Sequence, residues 1–415
     1  MSFDLRFLFS LISLVTLVFA HPSSSRRDDP CTVLAQGYEV LDDSPAINNA
    51  LKTCGKGGTI LLPQDQAYSI RSPLDFSTCR NCTLLIEGQL YISRDYDFWA
   101  RSDSVFTLAD VHGVTITSNT RKGLIDGQAI GYYTSWYNDV NAYGNRYWKF
   151  LTHITNRSSA ISISNLEIRN PIHGFFVTRG NASDIHFENL TMTVEQQWGR
   201  EPFNEASTFG FQIGNAVNVK ARDIGMKFTH KEGLEGAQSP VGVCAAVDVG
   251  AYNVSLRDVS CEGAWGGALV MVGSVQPYLN GPGLGNIEFK NWAVVGSGKD
   301  GAATGFKDFH YGATKDFKTA RSSYIGGRIH NIKWQDVVVT DGPPVVADFC
   351  YFRTRDNAAF TMACPANLKV DVGEVQFTGY EVGEGYTMPV KGWGGFNNRS
   401  SITLGFENWT MLRSS

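Results

Sequence analysis

A six-residue pattern recurs along the chain and restricts its fold more than any other feature: apolar, any, apolar, any, Asn or Asp, apolar. It reads Ile161-Ser-Ile163-Ser-Asn165-Leu166, Ile185-His-Phe187-Glu-Asn189-Leu190 and Val254-Ser-Leu256-Arg-Asp258-Val259. Ile287-Glu-Phe289-Lys-Asn291-Trp292 and Ile332-Lys-Trp334-Gln-Asp336-Val337 follow, and Val217-Asn-Val219-Lys-Ala-Arg-Asp223-Ile224 is a looser copy. Alternation makes a strand with one buried face. The Asn or Asp then turns the chain, because its side chain tolerates left-handed backbone and bonds its own backbone. One such unit cannot bury its apolar face, but a stack of them can.

Spacings from 24 residues (Ile161 to Ile185) to 45 (Ile287 to Ile332) suit stacked coils with loops of varied length. A propeller would repeat every ~40–50 residues with four strands per unit. A sandwich would place strands every ~8–12 residues without a repeat. The Asn turn favours the all-β solenoid. One helix is predicted, Ser44 to Cys54, and it caps the N-terminal end of the stack. An uncapped end would expose unpaired strand groups.

The N-terminus fixes the compartment. Arg6 precedes an apolar run from Phe7 to Phe19, and Ala20 closes a small-residue cleavage site. Residues 1–20 therefore read as a signal peptide, too short in their apolar run for a membrane span. Arg26-Arg27 mark 21–30 as a pro-segment, and 31–415 as one domain. The expected product is secreted and monomeric, with no membrane attachment once the signal is removed. Eight cysteines in a secretory chain favour disulfides. Cys31, Cys54, Cys244, Cys261, Cys350 and Cys364 are the candidates. Cys79-Arg80-Asn81-Cys82 is a lone CxxC and makes no zinc site by itself. Seven sequons, at Asn81, Asn156, Asn181, Asn189, Asn253, Asn398 and Asn408, point to glycosylation. The net charge is −4 and no Lys/Arg block stands out, so no nucleic acid is implied. No phosphate-binding glycine loop or grouped acids imply a cofactor or a metal.

Gly123-Leu124-Ile125-Asp126-Gly127 followed by Trp136 resembles the I-D-G…W segment of the glycoside hydrolase family 28 pectinases. Ile168-Arg169-Asn170-Pro171, and Arg328-Ile329-His330-Asn331-Ile332 through Asp348-Phe349-Cys350-Tyr351, resemble later segments of that family. The resemblance runs from about Cys31 to Cys364. It implies a right-handed parallel β-helix, and it implies that Cys244 pairs with Cys261. It also implies a catalytic region between Ser207 and Lys307, built from N-T-D-G, D-D-C, C-x-G-G-H-G and R-I-K. Here those motifs read Ser207-Thr208-Phe209-Gly210, Gly242-Val243-Cys244, Gly263-Ala264-Trp265-Gly266 and Gly305-Phe306-Lys307. Only the lysine survives.

Inverting glycosidases need a carboxylic acid for the leaving oxygen and a carboxylate base for water. Phe209, Gly242 and Val243 supply neither. Phe209, Val243, Trp265 and Met271, with the polar Ser207, Gln212 and Gln238, are expected to line a more apolar pocket. Lys307, His230 and Asp248 are the candidate catalytic groups. Thr229 to Pro240 should form a rim loop carrying His230 and Gln238. The apolar replacements favour a non-hydrolytic reaction on a hydrophobic small molecule, such as an intramolecular cycloaddition in natural-product biosynthesis. Lys307 would then polarise a carbonyl. Two other readings stand beside it. One is a pectin or rhamnogalacturonan hydrolase with displaced carboxylates, drawn from Asp248, Glu262, Asp308, Glu232 and Glu235. The other is a carbohydrate-binding pseudoenzyme.

Overall fold

The fold is described from a computed structural model. It covers residues 30–37, 39–99, 101–131, 150–172, 174–197, 208–230, 242–248, 250–271, 284–297, 301–307, 327–348, 351–353, 359–361, 370–383 and 403–411.

Each copy of the hexapeptide lies on a long strand, and the long strands stack in parallel. They include Ser159–Arg169, Ala182–Gln197, Ala216–His230, Tyr252–Glu262, Leu284–Val295 and Gly327–Thr340. The repeat sets the register. Ile161, Ile185, Val219, Val254, Ile287 and Ile332 are successive lateral partners. The turn residue of each copy is left-handed: Asn165, Asn189, Asp223, Asp258, Asn291 and Asp336 have φ between 50° and 58°. Only short polar side chains and glycine hold that conformation at low cost. Side-chain amides then bond along the stack, Asn189 Nδ2 to Asn165 Oδ1 at 2.8 Å and Asn291 Nδ2 to Asp258 Oδ1 at 2.6 Å.

A second left-handed ladder precedes the hexapeptide and was not foreseen. It runs through Asp184, Asn218, Asn253, Asn286 and Asn331, with φ from 53° to 58°. Asn218 Nδ2 donates to Asp184 Oδ1 at 2.9 Å, and Asn253 Nδ2 to Asn218 Oδ1 at 2.6 Å. The two ladders bend each long strand twice, so one strand covers two sides of the coil.

Nine short strands close the third side in chain order, among them Phe150–Thr155, Gly174–Thr178, Phe209–Ile213, Val243–Val247, Gly266–Met271, Ala302–Lys307 and Val345–Asp348. All their mutual pairings are parallel. The result is the expected right-handed parallel β-helix. Its interior is stacked with aromatic rings. Trp334 lies between Phe289 (centroids 5.4 Å) and Phe377 (4.6 Å), and its indole N–H reaches across the core to Ala268 O at 3.0 Å.

The helix α1 (Ser44–Cys54) forms where the sequence places it and buries Ile47, Ala50 and Leu51 against the first coil. Asp43, just before it, accepts from Ser69 N at 2.7 Å and Gln36 N at 2.9 Å, which ties the cap to the stack. Disulfides join Cys31 to Cys54 and Cys244 to Cys261. A third joins Cys79 to Cys82, so the CxxC that the sequence left unassigned is a cystine. Cys350 and Cys364 lie outside the described residues. Among the sequons, Asn81, Asn156, Asn181, Asn253 and Asn408 are exposed, Asn189 is half-buried, and Asn398 is outside the described residues.

Candidate functional site

The short-strand sheet has an outer face, and the family motifs lie on it. Phe211, Ile213, Ala245, Val247, Ala268, Val270 and Phe306 point into the helix and join the main core. Phe209, Val243, Ala246, Leu269, Met271, Ala302 and Val346 belong to a separate apolar cluster with Phe150, Val177 and Trp265. The side chains of this second cluster are 0–8% exposed and touch one another.

Registers sort the outer face into three rows across the coils. The first row is Phe209, Val243, Gly266 and Ala302. Of these, Phe209 and Val243 are places where the resemblance implies catalytic acids. Gly266, not Trp265, is the residue beside Val243; Trp265 is one position earlier and buried. The second row is His153, Val177, Gln212, Ala246, Leu269, Gly305 and Val346. The third row lies at the C-terminal edge. Met271, Lys307 and Asp348 are partners there. Asp248 follows Val247, the partner of Val270, and so sits beside Met271.

The polar chemistry gathers at this edge. Gln212 is 3% exposed, and Arg179 Nη2 donates to its Oε1 at 3.3 Å. Arg179 follows Thr178, the partner of Ile213, so its side chain folds back over the second row. Burial pushes its guanidinium below the ordinary arginine range, and the charge of Asp248 offsets part of that. Asp248 is half-buried, and its N–H bonds Ile213 O at 2.6 Å. Sequence reasoning missed Arg179, which reads as a turn residue in Thr178-Arg179-Gly180. The strand parity of Gln212 was the signal that could have found it.

The predicted residues do not form one cluster. Asp248, Met271 and the backbone of Lys307 lie in the third row, with Gln212 one row before them. Phe209, Val243 and Trp265 lie at the opposite, N-terminal end of the same strands, about 16 Å from the third row at ~3.3 Å per residue. His230 is on the long-strand sheet, its backbone paired with Gln197. Glu262 is also on that sheet, bonded by Lys227 Nζ at 2.8 Å. Ser207, Gln238, Asp308, Glu232 and Glu235, and the side chains of His230 and Lys307, lie outside the described residues.

A scan against protein-family models gives no match. Relatives are found by direct comparison. The chain is 31% identical to a probable endo-xylogalacturonan hydrolase A of Aspergillus flavus over 322 residues, 75% of this chain and 72% of that protein. It is 31% identical to endo-xylogalacturonan hydrolase A of Aspergillus tubingensis over 257 residues, 62% of this chain and 57% of that protein. The crystal structure of the Aspergillus tubingensis enzyme superposes with a TM-score of 0.66 at 22% identity, covering 92% of each chain. The tailspike protein of E. coli bacteriophage HK620, solved with a pentasaccharide, gives 0.58 at 12% identity over 93% of this chain and 67% of the tailspike.

The expectation of a cycloaddition on a hydrophobic small molecule is therefore corrected. The relatives are named as hydrolases of a pectic polysaccharide. The physical reason is on the outer face: the side chains meant to line an apolar pocket are packed against one another as a second core.

Proposed function

The chain belongs to glycoside hydrolase family 28, the family of the endo-xylogalacturonan hydrolases, and on that premise we propose that it is an exported pectin glycosidase with displaced carboxylates. Its substrate is a galacturonan-type polysaccharide. The observation that carries this reading is the identity to named hydrolases across three quarters of the chain. The geometry supports a displaced site. In the first row Phe209 and Val243 stand where the resemblance implies acids, and Gly266 and Ala302 add no carboxylate. The C-terminal row holds Arg179 and Asp248, with Gln212 one row before them.

Hydrolysis needs two carboxyl groups in different roles. Asp248 takes the role of base and activates water. Asp308 follows Lys307 in the sequence and is the first candidate for the acid that protonates the leaving oxygen. The signal peptide and the sequons support export of the protein to where pectin is found.

The test is release of reducing ends from xylogalacturonan and from unbranched galacturonan by the secreted protein. Wild type should release them. Asp248→Asn should lower kcat/KM by about a hundredfold to ten-thousandfold, the usual contribution of a general acid or base. A folded wild type that binds oligogalacturonides without cutting either polymer would sink the hydrolase reading and leave a binding protein.

A further inference from the structure

The second and third rows hold a charge that the packed floor does not need. Val177, Ala246 and Leu269 make the second row apolar and buried, and the Arg179 side chain reaches that row at Gln212. A guanidinium beside such a row loses water and keeps only part of the hydration it gives up. It has five N–H donors arranged as a fork. One of them meets Gln212 Oε1 at 3.3 Å, a long bond to a neutral acceptor. Asp248 lies within electrostatic reach. Arg179 itself is half-buried, so its donors reach the surface at the edge of the site.

This is an arrangement that gains from a second anion. A planar guanidinium binds a planar carboxylate through two parallel N–H···O bonds, which an ammonium cannot reproduce. Bonds of this kind gain strength where water is excluded, and Arg179 is half-buried. The bond to Gln212 restrains the fork and so reduces the rotamer freedom lost on binding.

We propose that Arg179 is the specificity-determining residue of the site and that it receives the carboxylate of a uronic acid unit of the substrate. The inference rests on the pectin glycosidase reading above and names what in the polymer is recognised. No bond is made or broken by Arg179. It positions one sugar of the chain beside Asp248, and a methyl ester at that sugar removes one anionic oxygen and the charge.

The experiment is isothermal titration of the full-length secreted protein with fully de-esterified and fully methyl-esterified oligogalacturonides, with hydrolysis of the matching polymers measured in parallel. Wild type should bind the de-esterified ligand at least about tenfold more tightly, as expected for a charge-assisted forked contact. Arg179→Gln should abolish that preference while leaving affinity for the ester within about twofold, and Arg179→Lys should keep only part of it. Competition on wild type, by free galacturonate against galactose, gives a measurement that needs no variant: only the acid should compete. Equal binding of both oligomers by wild type, or a preference unchanged in Arg179→Gln, overturns the proposal even if hydrolysis is seen. Charge-selective, Arg179-dependent binding without hydrolysis supports the proposal and fails only the enzymatic reading. No binding and no hydrolysis sinks both.

Discussion

The two outer faces of this β-helix carry opposite chemistry on the same kind of backbone. On the long-strand sheet the outward residues are polar and paired across coils. Arg257 meets Glu288 at 2.7 Å, Lys227 meets Glu262 at 2.8 Å, and Arg222 meets Glu188. Those side chains are 25–60% exposed. On the short-strand sheet the outward residues are Phe209, Val243, Leu269 and Met271, all buried against one another. The first face responds to water alone, so any soluble pair serves. The second responds to itself, so each residue is constrained by its neighbours. The missing acids are therefore part of a larger change. Phe209 and Val243, where the resemblance implies carboxylates, lie in a second apolar cluster, and Arg179 and Asp248 stand at the C-terminal edge of the same sheet.

The largest effect expected from breaking this contrast comes from restoring an acid. Phe209→Asp or Val243→Asp puts an unpaired carboxylate among buried apolar side chains. Leaving such a charge uncompensated costs about 3–5 kcal/mol. Both variants should lose stability in thermal unfolding and gain no release of reducing ends. A variant as stable as wild type would show that the first row is open to water, and the comparison of faces would fail.

A smaller effect is expected on the polar side, where the coil before Asn165 carries a longer loop in place of the Asn turn. Thr117 pairs with Ser164 and Leu124 with Glu167, so residues 118–123 stand opposite the single turn Asn165-Leu166. Glu87, only 9% exposed, holds that insertion. It accepts from Asn119 N at 2.6 Å, Ser118 Oγ at 2.9 Å and both donors of Thr120. Burial pulls its carboxyl upward, but the bonds from Thr120, Asn119 and Ser118 outweigh it and hold the group below its ordinary value of 4.5. A depressed carboxyl contributes stability that is fully present above the unfolded value and is lost as pH falls through the folded one. Glu87→Gln should cost about 2–3 kcal/mol at neutral pH, as for hydrogen bonds to a charged group. It should also flatten the stability profile below pH 4.5. Denaturant titrations at several pH values check both. An unchanged acid limb would show that the insertion is held by other contacts.

The contrast also explains what the amino-acid sequence revealed. The long strands alternate, because one face meets water, and alternation is what a sequence displays. Ile287-Glu-Phe289-Lys-Asn291-Trp292 therefore announced its strand, its turn and its place in a stack. The helix at Ser44–Cys54 was equally legible. Val243-Cys-Ala-Ala-Val247 is buried on both faces, and such a run has no period to read. Its outward rows emerge only from the register of neighbouring coils. The same holds for Arg179, whose role depends on Gln212, 33 residues away. The Asn218–Asn253 ladder escaped notice because a single Asn before a strand is common. Its meaning lies in the repetition across coils. Motif comparison pointed to the stretch from Ser207 to Lys307 and to the loss of its acids, but not to the bond between Arg179 and Gln212.

The smallest effect tests the ladder itself. Asn291 combines two contributions, a left-handed backbone at φ 55° and a bond from its Nδ2 to Asp258 Oδ1 at 2.6 Å. Asn291→Ala removes the bond and forces a Cβ residue with no local hydrogen bond into left-handed backbone, for a cost of about 1–2 kcal/mol. Asn291→Gly removes the same bond but holds the conformation freely, so it should cost less than the alanine despite being the smaller residue. In an ordinary strand the order is reversed, because glycine is the worse strand residue. Urea midpoints of the two variants, read at equal m-value, decide the matter. Alanine above glycine would mean that the backbone at Asn291 relaxes out of the left-handed region, and that the turn residues follow the stacking of the coils rather than directing it.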